Sequence, residues 1–358
     1  MQRKIWAQLF IVLCALPAAG CLSENSKVAT VRSPLVPFVE LFVLQDTLRL
    51  DPIVLIGQVA FLDVSQREEI LVTDHLANSA YLFAPSGSYI RSYSASECLP
   101  DDVDFYPWST RFIGDDRIMT MRFAGGAVIF EADGTCFAEK RMLMPWAKAF
   151  CVYKDSIFTQ QVQIEEEATA NIYSPMLETI GEVLIEPPRL IFLNTYFAGQ
   201  RGRTIDCFDD GAYYVYAESM DAIPVGSSLS RIQYEPEFFE WRPRDFPGAS
   251  PENKLELQKE YPSTIAVFAL NGSTRMVVYA DLDSRWSLGD VRAGEGYGLN
   301  VASNTAQFPA RSTVSPAYPL AAGGGYFYAI GEHEPLPNGE IGNPVILRYR
   351  FISPQTEP

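Results

Sequence analysis

The chain is nearly without histidine. His75 and His333 are its only two, and two imidazoles cannot build a three-histidine zinc site. No His-Glu-x-x-His motif and no Gly-x-Ser-x-Gly nucleophile elbow occurs. Gly294-Glu-Gly296-Tyr-Gly298 has the wrong spacing for a dinucleotide fingerprint and reads as a turn. Positive charge is also short: 28 Lys and Arg stand against 44 Asp and Glu, for a net charge of −16. That balance excludes nucleic acid as a partner, because phosphate backbones are bound by an excess of cations. Long helix-forming runs of Ala, Leu, Glu and Lys are scarce. What the chain does have is 22 Phe, 18 Tyr, 25 Pro and 24 Gly, a sheet-and-turn composition.

The amino end reads as an export signal. Arg3 and Lys4 precede an apolar run from Ile5 to Ala15, followed by Leu16-Pro17-Ala18-Ala19-Gly20-Cys21. A positive start, a short apolar stretch and small residues mark a cleaved secretory segment. The run is too short for a spanning helix, which takes about 20 residues. Cys directly after Ala-Ala-Gly resembles the lipobox of bacterial lipoproteins, which implies cleavage before Cys21 and acylation of its thiol. In such proteins Asp after the cysteine marks the inner membrane. Leu22 stands there instead, which points to the outer membrane, on its periplasmic or surface face. Residues 1–20 are therefore the expected signal, 21–37 a lipidated tether, 38–353 the folded domain and 354–358 a tail.

Four cysteines remain after processing: Cys98, Cys136, Cys151 and Cys207. An even number in an exported chain favours disulfides. Three pairings are open, and Cys98–Cys136 with Cys151–Cys207 is the one carried forward. Four separate buried thiols stay open beside it. None of the spacings suits zinc.

The organising signal is repetition. Tyr81-Leu82-Phe83 leads to Ser86-Gly87, Val128-Ile129-Phe130 to Asp133-Gly134, and Ala266-Val267-Phe268 to Asn271-Gly272. Each is an apolar segment ending in Phe, then three residues, then Gly, as tight hairpin turns require. Strands precede these hairpins: Glu69–Asp74 the first, Arg117–Arg122 the second and Ala212–Ala217 the third. Lys154–Gln163 with Leu190–Thr195, and Gly325–Gly331 with Val345–Phe351, supply two further strand pairs. Val39–Leu50 has no local partner and would close the ring against the last blade. The expected fold is all-β, a β-propeller of about six four-stranded blades, with five or seven as alternatives. Ser174-Pro175 and Ser250-Pro251 read as starts of two short helices in inserted loops. The pattern Ile70-Leu71-Val72-Thr73-Asp74, Tyr81-Leu82-Phe83, Ser86-Gly87, Tyr89-Ile90-Arg91 resembles NHL-type propeller blades. It is similar to the six-bladed propeller lipoproteins of Bacteroidetes-like bacteria. The likeness covers residues 59–143, implies a propeller in the cell envelope and transfers no catalytic residues.

Candidate sites are few. Tyr234, Phe238, Phe239, Trp241, Arg242 and Arg244 crowd one stretch, and aromatic rings beside guanidinium groups can hold glycans, peptides or anions. The competing reading is that these rings cover apolar core. The acidic groups at Asp101, Asp102 and Asp104, at Glu165–Glu167, at Asp209 and Asp210, and at Asp281, Asp283 and Asp290 read as solvated charge. Calcium is the one ion they leave open, and no cofactor is otherwise expected. The functional expectation is an envelope lipoprotein, held to the membrane through Cys21, that presents a rigid ring to a protein or glycan. The alternative is a metal-dependent propeller enzyme of lyase or lactonase type, using Asp74, Asp210, Glu218 and His333 at the central funnel.

Overall fold

A computed structural model describes residues 29–94, 98–99, 105–122, 125–141, 149–162, 168–185, 203–216, 221–226, 232–236, 263–280, 297–304, 308–336, 338–339 and 341–352. The chain enters through β1 (Ala29–Ser33), a single turn of helix α1 (Phe38–Leu41) and β2 (Phe42–Arg49). Blade 1 then comprises β3 (Val59–Val64), β4 (Ile70–Asp74), β5 (Ser79–Phe83) and β6 (Tyr89–Tyr93). Blade 2 is β7 (Pro107–Ile113), β8 (Arg117–Arg122), β9 (Ala127–Glu131) and β10 (Cys136–Lys140). Blade 3 is β11 (Phe150–Tyr153), β12 (Ser156–Val162), β13 (Ala168–Tyr173) and β14 (Thr179–Ile185). Blade 4 has three strands among the described residues: β15 (Ile205–Phe208), β16 (Gly211–Tyr214) and β17 (Ile223–Pro224). After β18 (Ile232–Pro236), blade 5 holds β19 (Ser263–Asn271), β20 (Thr274–Ala280), β21 (Tyr297–Ser303) and β22 (Arg311–Ser315). Blade 6 is β23 (Pro319–Gly323), β24 (Tyr326–Pro335) and β25 (Ile341–Phe351), completed by β2. The six antiparallel sheets form a six-bladed β-propeller.

Side-chain alternation explains why the blades stack. Successive residues of a strand face opposite sides, and here both sides are buried. In β4, Ile70 and Val72 belong to the cluster shared with blade 6, whereas Leu71 meets Ile118, Val128 and Phe130 of blade 2. In β8, Ile118 faces blade 1 while Met119 and Met121 join Phe150 and Ile157 of blade 3. In β20, Val277 and Tyr279 pack with Phe208 and Tyr213 of blade 4, and Met276 and Val278 turn to the other side. Each apolar cluster is thus an interface between neighbouring blades. That is why these strands read as continuous apolar runs.

Ring closure follows the sequence expectation for Val39–Leu50. β2 pairs antiparallel with β25 from Phe42↔Phe351 to Arg49↔Val345. The Phe42 ring meets Phe327 edge-on at 4.8 Å between centroids. Cys98 is bridged to Cys136 and Cys151 to Cys207, with Cα–Cα separations of 5.4 and 5.5 Å. The second bridge joins the inner strands of blades 3 and 4. Two disulfides fit a compartment outside the cytoplasm.

Several sequence expectations need correction. Ser174-Pro175 opens no helix. Ser174 Oγ accepts the backbone N–H groups of Met176 and Glu178, making a hairpin turn into β14. The β-branched residues that follow pair with β13 rather than coil. The second expected helix, 251–260, lies outside the described residues, as does Leu190–Thr195. The three Gly turns are not equivalent. Gly87 and Gly134 join the third and fourth strands of their blades, whereas Gly272 joins the first and second strands of blade 5. Ala212 consequently belongs to blade 4, not to the blade of Phe268. The tether also ends earlier than expected, because residues 29–36 are docked. β1 runs parallel to β18, and Val36 N–H donates to Ser312 O at 2.8 Å.

At the rim a turn of blade 1 meets the outermost strand of blade 6, where Asp51 N–H donates to Gly87 O at 2.9 Å. Gly87, at φ +84°, lies against β2, and a Cβ placed there would stand 2.0 Å from Arg49 O. Gly114 also has positive φ (+61°) but opens onto empty space. Gly87→Ala should therefore lower stability by more than about 2 kcal/mol, since clash adds to backbone strain. Gly114→Ala should cost only the strain, about 1–2 kcal/mol. Urea midpoints of the two variants measure the difference, and equal losses would contradict the rim contact.

Candidate functional site

In a propeller the first place to look is the axis, where the innermost strands converge. Here it is filled by four charged side chains. Asp63 comes from β3, Arg111 from β7, Asp206 from β15, and Arg203 from the residues leading into β15. Arg203 Nη2 donates to Asp63 Oδ1 and, at 2.8 Å, to Leu62 O. Arg111 Nη2 donates to Asp206 Oδ1 at 2.7 Å and Arg111 Nη1 to Phe150 O at 2.7 Å. The diagonals are longer, with Arg111 Nε 3.7 Å from Asp63 and Arg203 Nη1 3.6 Å from Asp206. The carboxylates also collect backbone donors, Phe112 N–H at Asp63 and Ala269 N–H at Asp206. Five of the six blades are tied together this way. The Arg203 guanidinium lies over the Phe61 and Phe268 rings, 4.9 and 5.4 Å from their centroids.

Burial governs this cluster. Arg203 is 1% exposed and Asp206 2%. Burial alone would raise the Asp206 carboxyl. Arg111 and Arg203, with the Ala269 N–H bond, outweigh it and hold the group below its ordinary value. Burial and the adjoining Arg111 pull Arg203 down, and its two carboxylates oppose them. Burial also works against the charged form of Arg111, but Asp206 and Asp63 push it up. Arginine does not give up its proton in a protein, so the cluster sets two guanidinium cations against two carboxyl side chains. Arg203 Nε, also buried, has no hydrogen-bond partner among the described residues.

A second buried network lies between blades 4 and 5. Arg275 holds Asp221 in a two-pronged bond, at 3.0 Å through Nε and 2.7 Å through Nη2. It also donates to Asn304 Oδ1 at 2.6 Å. Burial opposes the Arg275 charge, and Asp221 more than restores it. Tyr234, a candidate for an aromatic platform or for covering core, is buried here. Its N–H donates to Asp221, and its ring lies 5.2 Å below the Arg275 guanidinium. It covers core because β18 carries it under the docked β1. Phe238, Phe239, Trp241, Arg242 and Arg244 lie outside the described residues.

Among the described residues of the enzymatic alternative, Asp74, Asp210 and His333 are not brought together. Asp74, on blade 1, accepts the backbone N–H groups of Gly57, Gln58, Leu76 and Ala77. That makes it a loop organiser with no capacity left over. Asp210, at a blade 4 turn, accepts from the Tyr213 hydroxyl at 2.7 Å and from Asn304 at 3.3 Å. Burial, and then this bond to Asp210, pushes the Tyr213 phenol up. His333, on blade 6, places Nδ1 2.9 Å from Gly342 O, and His75 packs beside Trp108 at 5.1 Å between centroids. Glu218 lies outside the described residues, as do the acidic groups at 101–104, 165–167 and 281–290. Among the described residues no three His, Cys, Asp or Glu side chains gather in a metal-holding group. The axial cluster was missed from the sequence because its four members are scattered singly over 144 positions.

No family model matches the sequence, and no curated protein matches it either. Solved structures do match. A protein of Bacteroides fragilis named as exported shares 13% identity, covering 91% of this chain and 100% of that one, with a TM-score of 0.63. A member of the DUF4221 family from Bacteroides vulgatus shares 8% identity over 87% of this chain and 98% of its own, with a TM-score of 0.55. At these identities the likeness is one of fold. A virginiamycin B lyase from Staphylococcus aureus overlaps more loosely, at 12% identity and a TM-score of 0.46.

Asp206→Ala should leave two buried guanidiniums facing each other and cost about 3–5 kcal/mol. The pH dependence has a defined sign. The lowered carboxyl contributes stability that is present in full above its unfolded value near 4 and is lost as pH falls through the folded value. Urea unfolding between pH 7 and pH 3 should therefore show a shallower acid loss in Asp206→Asn than in the parent. Parallel profiles would refute the assignment.

Proposed function

We propose that this protein is an exported lipoprotein whose propeller is a rigid binding module for a protein or a glycan at the cell envelope. The observation that carries this reading is the buried ion-pair cluster between the innermost strands. A propeller enzyme needs polar groups free to act where its blades converge, and among the described residues Asp63 and Asp206 are each paired with an arginine. The blades instead differ at their ends. First-to-second-strand turns are as short as 154–155, 209–210, 272–273 and 324–325, while other connections between strands include 186–204, 237–262 and 281–296. Loops on a stiff frame are where binding residues concentrate, and the stretch with Trp241, Arg242 and Arg244 falls in the second of these connections.

Anchoring through Cys21 is the second part of the proposal, supported by the signal-like residues before it and by the two disulfides. Among the described residues no helix is long and apolar enough to cross a membrane. Leu22 after the cysteine favours the outer membrane.

Two measurements test these parts separately. Growth with a clickable fatty acid should label the parent chain and leave Cys21→Ser unlabelled, and persistent labelling of the variant would remove the anchor. Protein purified without chelator should carry no stoichiometric divalent ion. A bound ion at one per chain, lost on substituting an acidic residue, would replace the binding module with the enzyme.

A further inference from the structure

The first twenty described residues form a belt around the outside of the ring. β1 lies beside β18, residues 34–36 run along β22 through the Leu35↔Ser312 bridge, and β2 is the outermost strand of blade 6. The belt is anchored inward by polar and apolar contacts. Ser33 Oγ donates to Asn300 at 2.7 Å and Ser312 Oγ to Ser33 O at 2.9 Å, while Leu41 and Phe42 are buried. Other side chains of the belt are open to water. Val31, Leu35, Val39, Val43 and Leu44 are all exposed, Val39 at 70% and Leu35 at 51%. Large aliphatic groups held in water on a fixed backbone are candidates for an interaction surface.

Resting on the reading of Cys21 as the acylated residue, we propose that this belt lies against the bilayer that holds the anchor, so that the propeller docks by the rim of blades 5 and 6. Three observations select lipid as the occupant. The chain outside the described part is short on this side. Seven residues, 22–28, separate Cys21 from Ala29, and seven residues reach at most about 24 Å. The belt is therefore the part of the ring kept closest to the membrane. Its charge is balanced as well: between residues 29 and 49, Arg32 and Arg49 offset Glu40 and Asp46, in a chain of net charge −16. The acidic body is repelled by anionic headgroups, and the belt is not. Finally, its exposed apolar groups are aliphatic, whereas anchors of protein interfaces are chiefly Trp, Tyr and Arg. β2 is the edge strand of its sheet among the described residues, so contact is at headgroup depth, where water still reaches an edge.

Coupling Cys21 of the purified mature chain to a maleimide phospholipid tethers it to vesicles whether or not the cell acylates it. Docking and anchoring can then fail independently. On vesicles of phosphatidylethanolamine with a minority of phosphatidylglycerol, amide exchange across residues 30–47 should slow by about threefold or more relative to the untethered chain, with blade 3 unchanged. Val39→Asp with Val43→Asp, both exposed and expected to leave the unfolding midpoint intact, should abolish that protection. Unchanged exchange in the tethered parent, or protection that survives the two aspartates, would overturn the docking. Protection that appears only when a second protein is added would make the belt a protein interface instead.

Discussion

Every blade of this protein is apolar on both faces, and that constraint dictates the architecture. A sheet with one buried face can stop at a single partner. A strand such as β4, with Ile70 and Val72 on one side and Leu71 on the other, must be covered twice. Six such sheets can satisfy one another only in a closed circle, since an open stack would leave two greasy ends. The pairing of β2 with β25 is where the circle is completed. At the rim, a turn glycine such as Gly87 is pressed against a neighbour's backbone.

Closing the circle leaves a core along the axis that apolar side chains could have filled. Asp63, Arg111, Arg203 and Asp206 occupy it instead. Buried ion pairs are weak contributors to stability, because desolvation consumes most of the attraction. Their geometry is demanding, however. Each guanidinium reaches a carboxylate on a different blade, and Asp63 and Asp206 each draw in a backbone N–H from the next one. The cluster therefore sets which blade stands where.

Much of the fold was legible in the sequence. Strand-turn-strand repeats around Phe83 and Phe130 predicted the blades, and the unpartnered Val39–Leu50 predicted the closure. The errors have physical causes. Asn271-Gly272 makes as good a hairpin as Asp133-Gly134, so local pattern could not say which two strands of a blade it joins. Ser174-Pro175 is as good a turn as a helix start, and the decision came from pairing with β13, which is tertiary. The site was less legible. A lone Arg203 or Asp63 carries no local signature, and Tyr234 looks the same in sequence whether it faces a ligand or lies under Arg275.

The closing strand pair joins segments about 300 positions apart, so the earlier one is synthesised long before its partner. Loop-closure entropy for such a contact is high, and chains dominated by distant pairings fold slowly. Until Val345–Phe351 emerges, β2 has no edge to join, and a stalled or clipped product would expose the inner faces of blades 1 and 6. Completion of the ring is thus a check built into connectivity: the surfaces between blades are hidden once both distant strands are in place.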